Sequence, residues 1–560
     1  MKTTTLKSSR FGGAGPWWAT TAGVAAIAVF PILSIFWFAF FPAENIWPHL
    51  IATSLPTYLF NTLGLMSGVG LLVFGIGVST AYVVTNYRFP LHQYFEWLLL
   101  LPLAVPAYVI AYLYTDILEF SGPVQSALRS LFGWELARDY WFPNIRSLGG
   151  AVTMMGLVLY PYVYLLARAS FLEQSPYLID ASRLMGHSRW KTFFSVSLPI
   201  ARPGIAIGVA LALMETLNDF GTVDFFAVPT LTAGLFDVWL NMNNLGGAAQ
   251  LAVIMLTFVL LLLGLEYMGR RRTGFQQNSG RFSRRERIEL TGAGRWAAFS
   301  LCFIPVLAGF LVPVVLLSKY AIIYFSQSWT IEFRQYAFNS LYVSSMAAVC
   351  CAILALIVSY TRRMKHSTWI HYTGRMASMG YAVPGAVLAV GVVVPLATFD
   401  NLVDALVLNH FGISTGLLLS GTTFALVLTY VIRFLAISIG SVDSSFSKVS
   451  PSIDMAARTL GHSPFKVLGS YHLPLVKGGL YTAMLIVFVD CMKELPATLL
   501  LRPFNFETLA THVYLFASDE LIEQSALGAL LIVLVGLVPV VVLSKTISYS
   551  QQVPHHHPAD

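Results

Sequence analysis

The chain has 560 residues, of which 56% are hydrophobic and only 11% charged. A soluble globule carries about a quarter charged residues, so the composition excludes one and indicates a polytopic membrane protein. The net charge of +7 does not argue for nucleic acid, because the basic residues concentrate in short loops between apolar runs, where they report topology.

A basic lead (Lys2, Lys7, Arg10) precedes an apolar run at 17–41. That run exceeds the signal-peptide core of about 7–15 residues and is read as a retained first helix. Further runs of about 20 apolar residues follow near 59–84, 96–116, 149–168, 204–222, 248–268, 296–318, 338–360, 377–397, 413–440, 477–500 and 525–545. The expected fold is therefore all-α, a polytopic membrane protein of about twelve transmembrane helices. Acidic residues interrupt the fifth and eleventh runs.

With the N-terminus cytosolic, the inside loops hold Arg168, Arg183, Arg189, Lys191, Arg202, the cluster at 270–295, Arg362, Arg363, Lys365 and Arg375. Lys448, Arg458, Lys466, Lys477 and Lys545 join them, so roughly four-fifths of all Lys and Arg lie inside. Stretches 223–247 and 398–412, read as outside, have none. Both termini are then cytosolic. The external loop at 117–148 mixes Leu128, Leu131, Phe132, Trp134, Leu136 and Trp141 with charges, which suits either the membrane interface or a partner.

The basic segment at 271–295 reads as a cytosolic linker between an N-terminal half (1–270) and a C-terminal half (296–560), its arginines fixing topology and meeting anionic lipid. Cys302, Cys350, Cys351 and Cys491 fall inside apolar segments without CxxC spacing, which suggests packing residues and no disulfide or metal framework. The His555-His556-His557 tract is read as a disordered tail before a weak metal site.

The halves repeat. Phe60-Asn61-Thr62 and Ala104-Val105-Pro106 recur 278 positions on as Phe338-Asn339-Ser340 and Ala382-Val383-Pro384. With six spans each, the halves re-enter the membrane in the same orientation, so two parallel six-helix halves related by a pseudo-twofold axis are expected.

The longest repeat pairs Leu178–Pro203 with Ser452–Gly478, offset by 275. In each copy a helix-forming run ends at a glycine (Gly186, Gly461), His-Ser follows, and Leu-Pro comes at equal distance. Asp180 and Asp454 suit a helix N-terminus, and small residues (Ala181, Ser182; Ala456, Ala457) permit close approach of another surface. The glycines suit a left-handed C-cap, and Ser188 and Ser463 suit the N-cap of a second helix, with Pro464 in its first turn.

These residues resemble the EAA loop of ATP-binding-cassette importer permeases, whose pattern is roughly Glu-Ala-Ala, three residues, Gly, and a later Leu-Pro. Asp180-Ala181-Ser182 and Met455-Ala456-Ala457 occupy the triplet, and Asp454 lies one place early. The resemblance implies coupling helices at Asp180, Ala181, Ser182, Gly186, Asp454, Ala456, Ala457 and Gly461, docked on two copies of a separate ATPase at the cytosolic face.

Four acids follow the loops. Glu215 and Asp219 correspond to Asp490 and Glu494, each pair spaced i, i+4 and so expected on one helical face. Counted from Pro203, Glu215 lies roughly 18 Å and Asp219 roughly 24 Å into a core about 30 Å thick. Acids at such depth normally face a cavity or a partner. A cation path or gate is one reading; a structural network, with Lys493 as a partner or a carboxylate accepting N–H groups at the Gly221 or Pro496 break, is the other.

The surrounding segments, ETLNDFGT and KELPATLLLRPFNFETLA, resemble ferric-iron importer permeases in which one polypeptide carries both permease domains. This implies a substrate-binding protein outside, a bacterial inner-membrane location and transport of ferric iron. Related fused permeases carry thiamine, and sister families carry sulfate, polyamines or phosphonates; an acid-lined path favours a cation. No GxxxxGK[ST] run occurs, so ATP and magnesium are expected on the partner and no cofactor on this chain. No nucleophile constellation or metal-ligand spacing suggests an enzyme. An ion-coupled secondary transporter is the rival class, from which the duplicated loop discriminates.

Overall fold

The computed structural model describes residues 14–271, 287–364 and 367–552. The basic lead at Lys2, Lys7 and Arg10, most of the 271–295 linker, Lys365 and the His555–His557 tract lie outside the described residues. Among the described residues the regular structure is helical apart from one two-residue parallel pairing, Tyr87–Arg88 with Ile288–Glu289. Among the described residues eleven helices are long and apolar enough to cross a membrane. A bent pair, His92–Ala104 with Ala107–Phe132, makes up to twelve.

The bend is 89°. Pro106 has no N–H to give and sits extended (φ −61°, ψ 143°), so the helix stops at a 3₁₀ turn, Leu101–Ala104, and restarts at Ala107. The same backbone recurs 278 residues later as Met379–Ala382, Pro384 and Gly385–Phe411. The ninth crossing thus begins at Gly385 rather than 377. It also continues through residues read as an outside loop, because Asp400 and Asp404 accept N–H groups from Leu419 and Ser420 and from Thr415 and Gly416, turning two costly acids into caps for the next connection.

The fifth and eleventh crossings also differ from expectation. They span Arg189–Asn218 and Pro464–Met492, starting inside the repeated loops. Single π-helical turns, Phe193–Ser197 and Leu468–His472, precede Pro199 and Pro474 and absorb the hydrogen bond that each proline cannot make.

The helices gather into two compact units that do not follow the sequential halves. One contains the Ala14–Phe40 helix with Asn339–Met492 and Leu500–Phe506. There, Trp17 packs edge-on against Tyr360 at 5.1 Å and tilted against Phe465 at 4.8 Å, beside a core of Leu435, Ile439, Phe446 and Val476. The other contains Phe41–Phe338, Lys493–Leu499 and the chain from Glu507 on. In it Leu55–Asn86, Leu148–Leu172 and Leu198–Asn218 pack closely. A Cβ on Gly208 would lie 2.8 Å from the Val163 Cα, so only a bare backbone permits that approach. Gly292–Val306 and Val312–Ile323 belong here too, held by Tyr114 donating to the Ala308 carbonyl (2.8 Å) and Tyr320 donating to Asp116 (2.7 Å).

Where the described chain resumes within the linker, it is pinned by ion pairs. Glu96 bridges Arg287 (2.5 Å) and the buried Arg168 (2.6 Å), and Arg88 meets Glu289 at 3.2 Å.

Candidate functional site

The repeated loop has one backbone built twice. Pro176–Leu184 ends at Gly186 (φ 80°), where the Gly186 N–H donates to the Arg183 carbonyl (2.9 Å) and the His187 N–H to the Ser182 carbonyl (3.2 Å). Ser188 then accepts from the Lys191 N–H and opens Arg189–Thr192. In the second copy Pro451–Thr459 ends at Gly461 (φ 72°), His462 donates to the Ala457 carbonyl (3.1 Å), and Ser463 accepts from Lys466 ahead of Pro464–Val467. These wrap-back bonds require the left-handed glycine. Every boundary is displaced by 275 residues.

The side chains brace that backbone differently. Ser182 is buried, its hydroxyl 3.1 Å from both His187 Nδ1 and Thr192 Oγ1. Ala457 is buried as well. Asp454 sits in the first turn of its helix and turns inward: one carboxylate oxygen lies 2.7 Å from Nε2 of the fully buried His472, and the other pairs with Arg363 at 2.7 Å. Arg363 also donates to the carbonyls of Phe446, Val449 and Ser450. Asp180 is placed otherwise. Its helix begins at Pro176, which puts it in the second turn, and it is exposed beside the exposed Ala181; Ala456 is likewise exposed.

The acids past the loops do not extend one helical face, because each helix ends between the members of its pair. Glu215 lies in Leu198–Asn218, partly exposed, and Asp219 is already extended (ψ 134°). Its carboxylate accepts the N–H of Thr222 (2.9 Å), the N–H of Val223 (3.4 Å) and the Thr222 hydroxyl (3.1 Å), capping Gly221–Phe225. Asp490 lies in Leu473–Met492. Glu494 follows that helix, is buried, and accepts the Ala497 N–H at 3.1 Å at the start of Pro496–Leu501. Both second acids therefore accept free N–H groups from one residue ahead of the N-cap at a break in the span. Gly221 is squeezed between Tyr108 and Leu495, which no side chain at that position would allow.

Beside the Gly221–Phe225 helix lies a cavity of about 470 Å³, with Asp224, Asp237, Asn241, Tyr58 and Tyr514 in its wall. Tyr514 donates to Asp224 (2.7 Å) and Asn241 to Asp237 (2.8 Å). Among the described residues, no group of three or more His, Cys, Asp or Glu forms a metal site.

Residues 73–273, which include the first loop and Glu215 with Asp219, match the family of binding-protein-dependent transport system inner membrane components. Over that segment the chain is an ABC-type, binding-protein-dependent permease domain. Over 498 residues it is 26% identical to the Fe(3+)-transport system permease protein FbpB 2 of Haemophilus influenzae, covering 87% of this chain and 89% of that one. It is 22% identical to the ferric transport system permease protein FbpB of Actinobacillus pleuropneumoniae, over 90% of this chain and 74% of the relative. The molybdenum transport system permease protein ModB of Escherichia coli K12 is 27% identical over 35% of this chain and 84% of its own length.

In this permease the loops carry residues that the sequence reading passed over. Met185 and Leu460 occupy corresponding positions, as do Trp190 and Phe465, and all four are 69–76% exposed. The triplet is thus partly internal structure, while the projecting surface is apolar. The available signal was an apolar residue at matching offsets in two otherwise polar loops.

Proposed function

We propose that the chain is the membrane-spanning subunit of a ferric-iron importer, alternating access as two separate ATPase subunits close beneath the two loops. The observation that carries this reading is the twice-built helix, glycine turn and helix, whose backbone is rigidly specified and whose apolar tips (Met185, Trp190, Leu460, Phe465) project from it. A groove on each ATPase receives one tip, and the π turns and unbroken helices behind the tips carry its movement into the Leu198–Asn218 and Leu473–Met492 spans. The basic loops put these tips and both termini on the cytosolic side of the bacterial inner membrane, and a substrate-binding protein delivers cargo to the other side.

Iron is supported by the ferric transport of the relatives that match along most of the chain. The molybdenum relative, and a sulfate permease CysT that is 29% identical over 33% of this chain, motivate an oxyanion as the second reading. The test reconstitutes the chain with its ATPase and binding protein in proteoliposomes and compares ATP-dependent uptake of radiolabelled ferric iron and molybdate. Iron uptake that stops when the ATPase is omitted supports the proposal. Molybdate uptake without iron uptake transfers the assignment to the oxyanion, and uptake that survives removal of the ATPase returns the chain to the ion-coupled class.

A further inference from the structure

We infer that the cavity beside the Gly221–Phe225 helix is a receiving site for a hard, oxygen-seeking cation, and that the buried phenols of Tyr112 and Tyr108 are the oxygen donors met next on the way inward. The inference rests on the importer reading for the direction of traffic alone; binding at the cavity stands or falls separately.

Three observations carry it. The cavity wall holds two carboxylates, Asp224 and Asp237, two phenols, Tyr58 and Tyr514, and the Asn241 amide, and it holds no Lys, Arg or His. With a formal charge of −2, and with carboxylate, phenol and amide oxygens set in an otherwise apolar lining, it repels an oxyanion and suits a hard cation, which takes carboxylate, carbonyl and water ligands and no sulfur. At about 470 Å³ it admits a cation with part of its hydration shell or a small chelator.

The second observation is the wall's construction. Phe220 stacks on Phe236 with ring centroids 3.7 Å apart and leans on Tyr514 at 5.7 Å, so the donor oxygens stand against a fixed aromatic backing. Thr230 accepts from the Ala233 N–H and Asp219 caps the helix that bears Asp224, which leaves the donors on short elements with both ends tied.

The third lies behind the wall. Tyr112 packs edge-on against Phe225, centroids 4.5 Å apart, and Tyr108 follows at 5.8 Å. Both are at least 96% buried, and neither hydroxyl has a protein hydrogen-bond partner. Leaving a buried hydroxyl unpaired costs about 1–3 kcal/mol, so two in succession call for an explanation. The Tyr108 side chain in turn lies against Gly221, in the helix that Asp219 caps. The contacts thus run from Phe225, next to Asp224 in the chain, through Tyr112 and Tyr108 to Gly221. A cation that sheds water at the cavity finds a replacement oxygen at each stage.

The test uses the purified full chain in lipid nanodiscs, without ATPase or binding protein, titrated with terbium(III), a hard trivalent ion whose luminescence nearby tyrosines sensitise. Saturable sensitised emission is expected. It should weaken at least about tenfold in Asp224→Asn/Asp237→Asn, as removal of two charges next to a trivalent ion requires. Leu240→Arg adds one positive charge from an exposed position in the same wall and disturbs no buried group, so it should weaken binding even if the double variant fails to fold. Glu135→Gln, an exposed acid elsewhere, should leave the titration unchanged. Absence of a saturable site in the wild type, or a titration unaltered by Leu240→Arg, overturns the inference and leaves the permease assignment intact. Tyr112→Phe that retains full emission and full transport would remove the phenol series alone.

Discussion

Replacing Asp454 by Ala should loosen the second repeated loop and spare the first. Asp454 is held by Arg363 through Nε at 2.8 Å and Nη2 at 2.7 Å, and by His472 at 2.7 Å. Breaking a buried ion pair by removing one partner costs about 3–5 kcal/mol. The Asp454 and Arg363 side chains are 17% and 15% exposed, and Arg363 keeps three carbonyl acceptors, so the low end applies, about 3 kcal/mol. That corresponds to roughly a hundredfold faster amide exchange where opening of this segment limits exchange. Hydrogen exchange of the full chain in nanodiscs, read by mass spectrometry on peptides covering Pro451–Thr459, measures it, with Pro176–Leu184 as internal reference. Asp454→Asn, which keeps a hydrogen-bond acceptor but no charge, should fall between. Equal exchange of the second-loop peptide in wild type and Asp454→Ala would refute the brace.

Cysteines at Met185 or Leu460 should crosslink to the partner ATPase, while cysteines at the buried Ser182 or Ala457 should react only after denaturation; mass spectrometry of the crosslinked complex decides. Gly186→Val and Gly461→Val should insert normally and lose transport. Nothing lies within 4 Å of either added Cβ, so the effect is conformational, about 1–2 kcal/mol for a left-handed L-residue and more for a β-branched one, and Gly461→Asn should retain much of the activity. Asp219→Asn should keep the Gly221–Phe225 cap and membrane abundance, whereas Asp219→Ala should lose about 1 kcal/mol of local stability, seen as a lower melting temperature. If Asp219→Asn also keeps full uptake, the charge of Asp219 has no part in the path.

Eleven to twelve crossings among the described residues and the doubled loop were legible because apolar length and glycine, serine and proline chemistry are local properties. Gly186 and Gly461 adopt positive φ, and Ser188 and Ser463 cap, as their residue types require. Termini of spans were less legible. Nothing in the sequence periodicity indicates that a π turn carries the helix through Pro199 and Pro474, or that Asp400 sits fully buried because it binds the backbone of Leu419 and Ser420. The i, i+4 spacing of the acids suggested one face; the helix end at Asn218 made the second acid a cap. The cavity was missed because its donors come from four separated segments around Tyr58, Asp224, Asp237 and Tyr514, which only folding assembles.

The two loops share a backbone but not a set of braces, and the difference in bracing predicts a difference in stiffness. The shared part is what each loop presents at its surface: helix length, the glycine turn, the serine cap and an apolar tip. The divergent part is hidden behind it. In the first copy a serine, a histidine and a threonine exchange neutral hydrogen bonds, each worth about 0.5–1.5 kcal/mol; in the second an aspartate joins a guanidinium and a buried imidazole. If both tips receive equal pushes, the neutral brace yields first. Exchange in the unmodified chain should therefore already be faster across Pro176–Leu184 than across Pro451–Thr459, and Asp454→Ala should remove that difference by softening the second loop to the level of the first. Slower exchange in the first loop of the wild type would show that its stiffness comes from something other than these side chains.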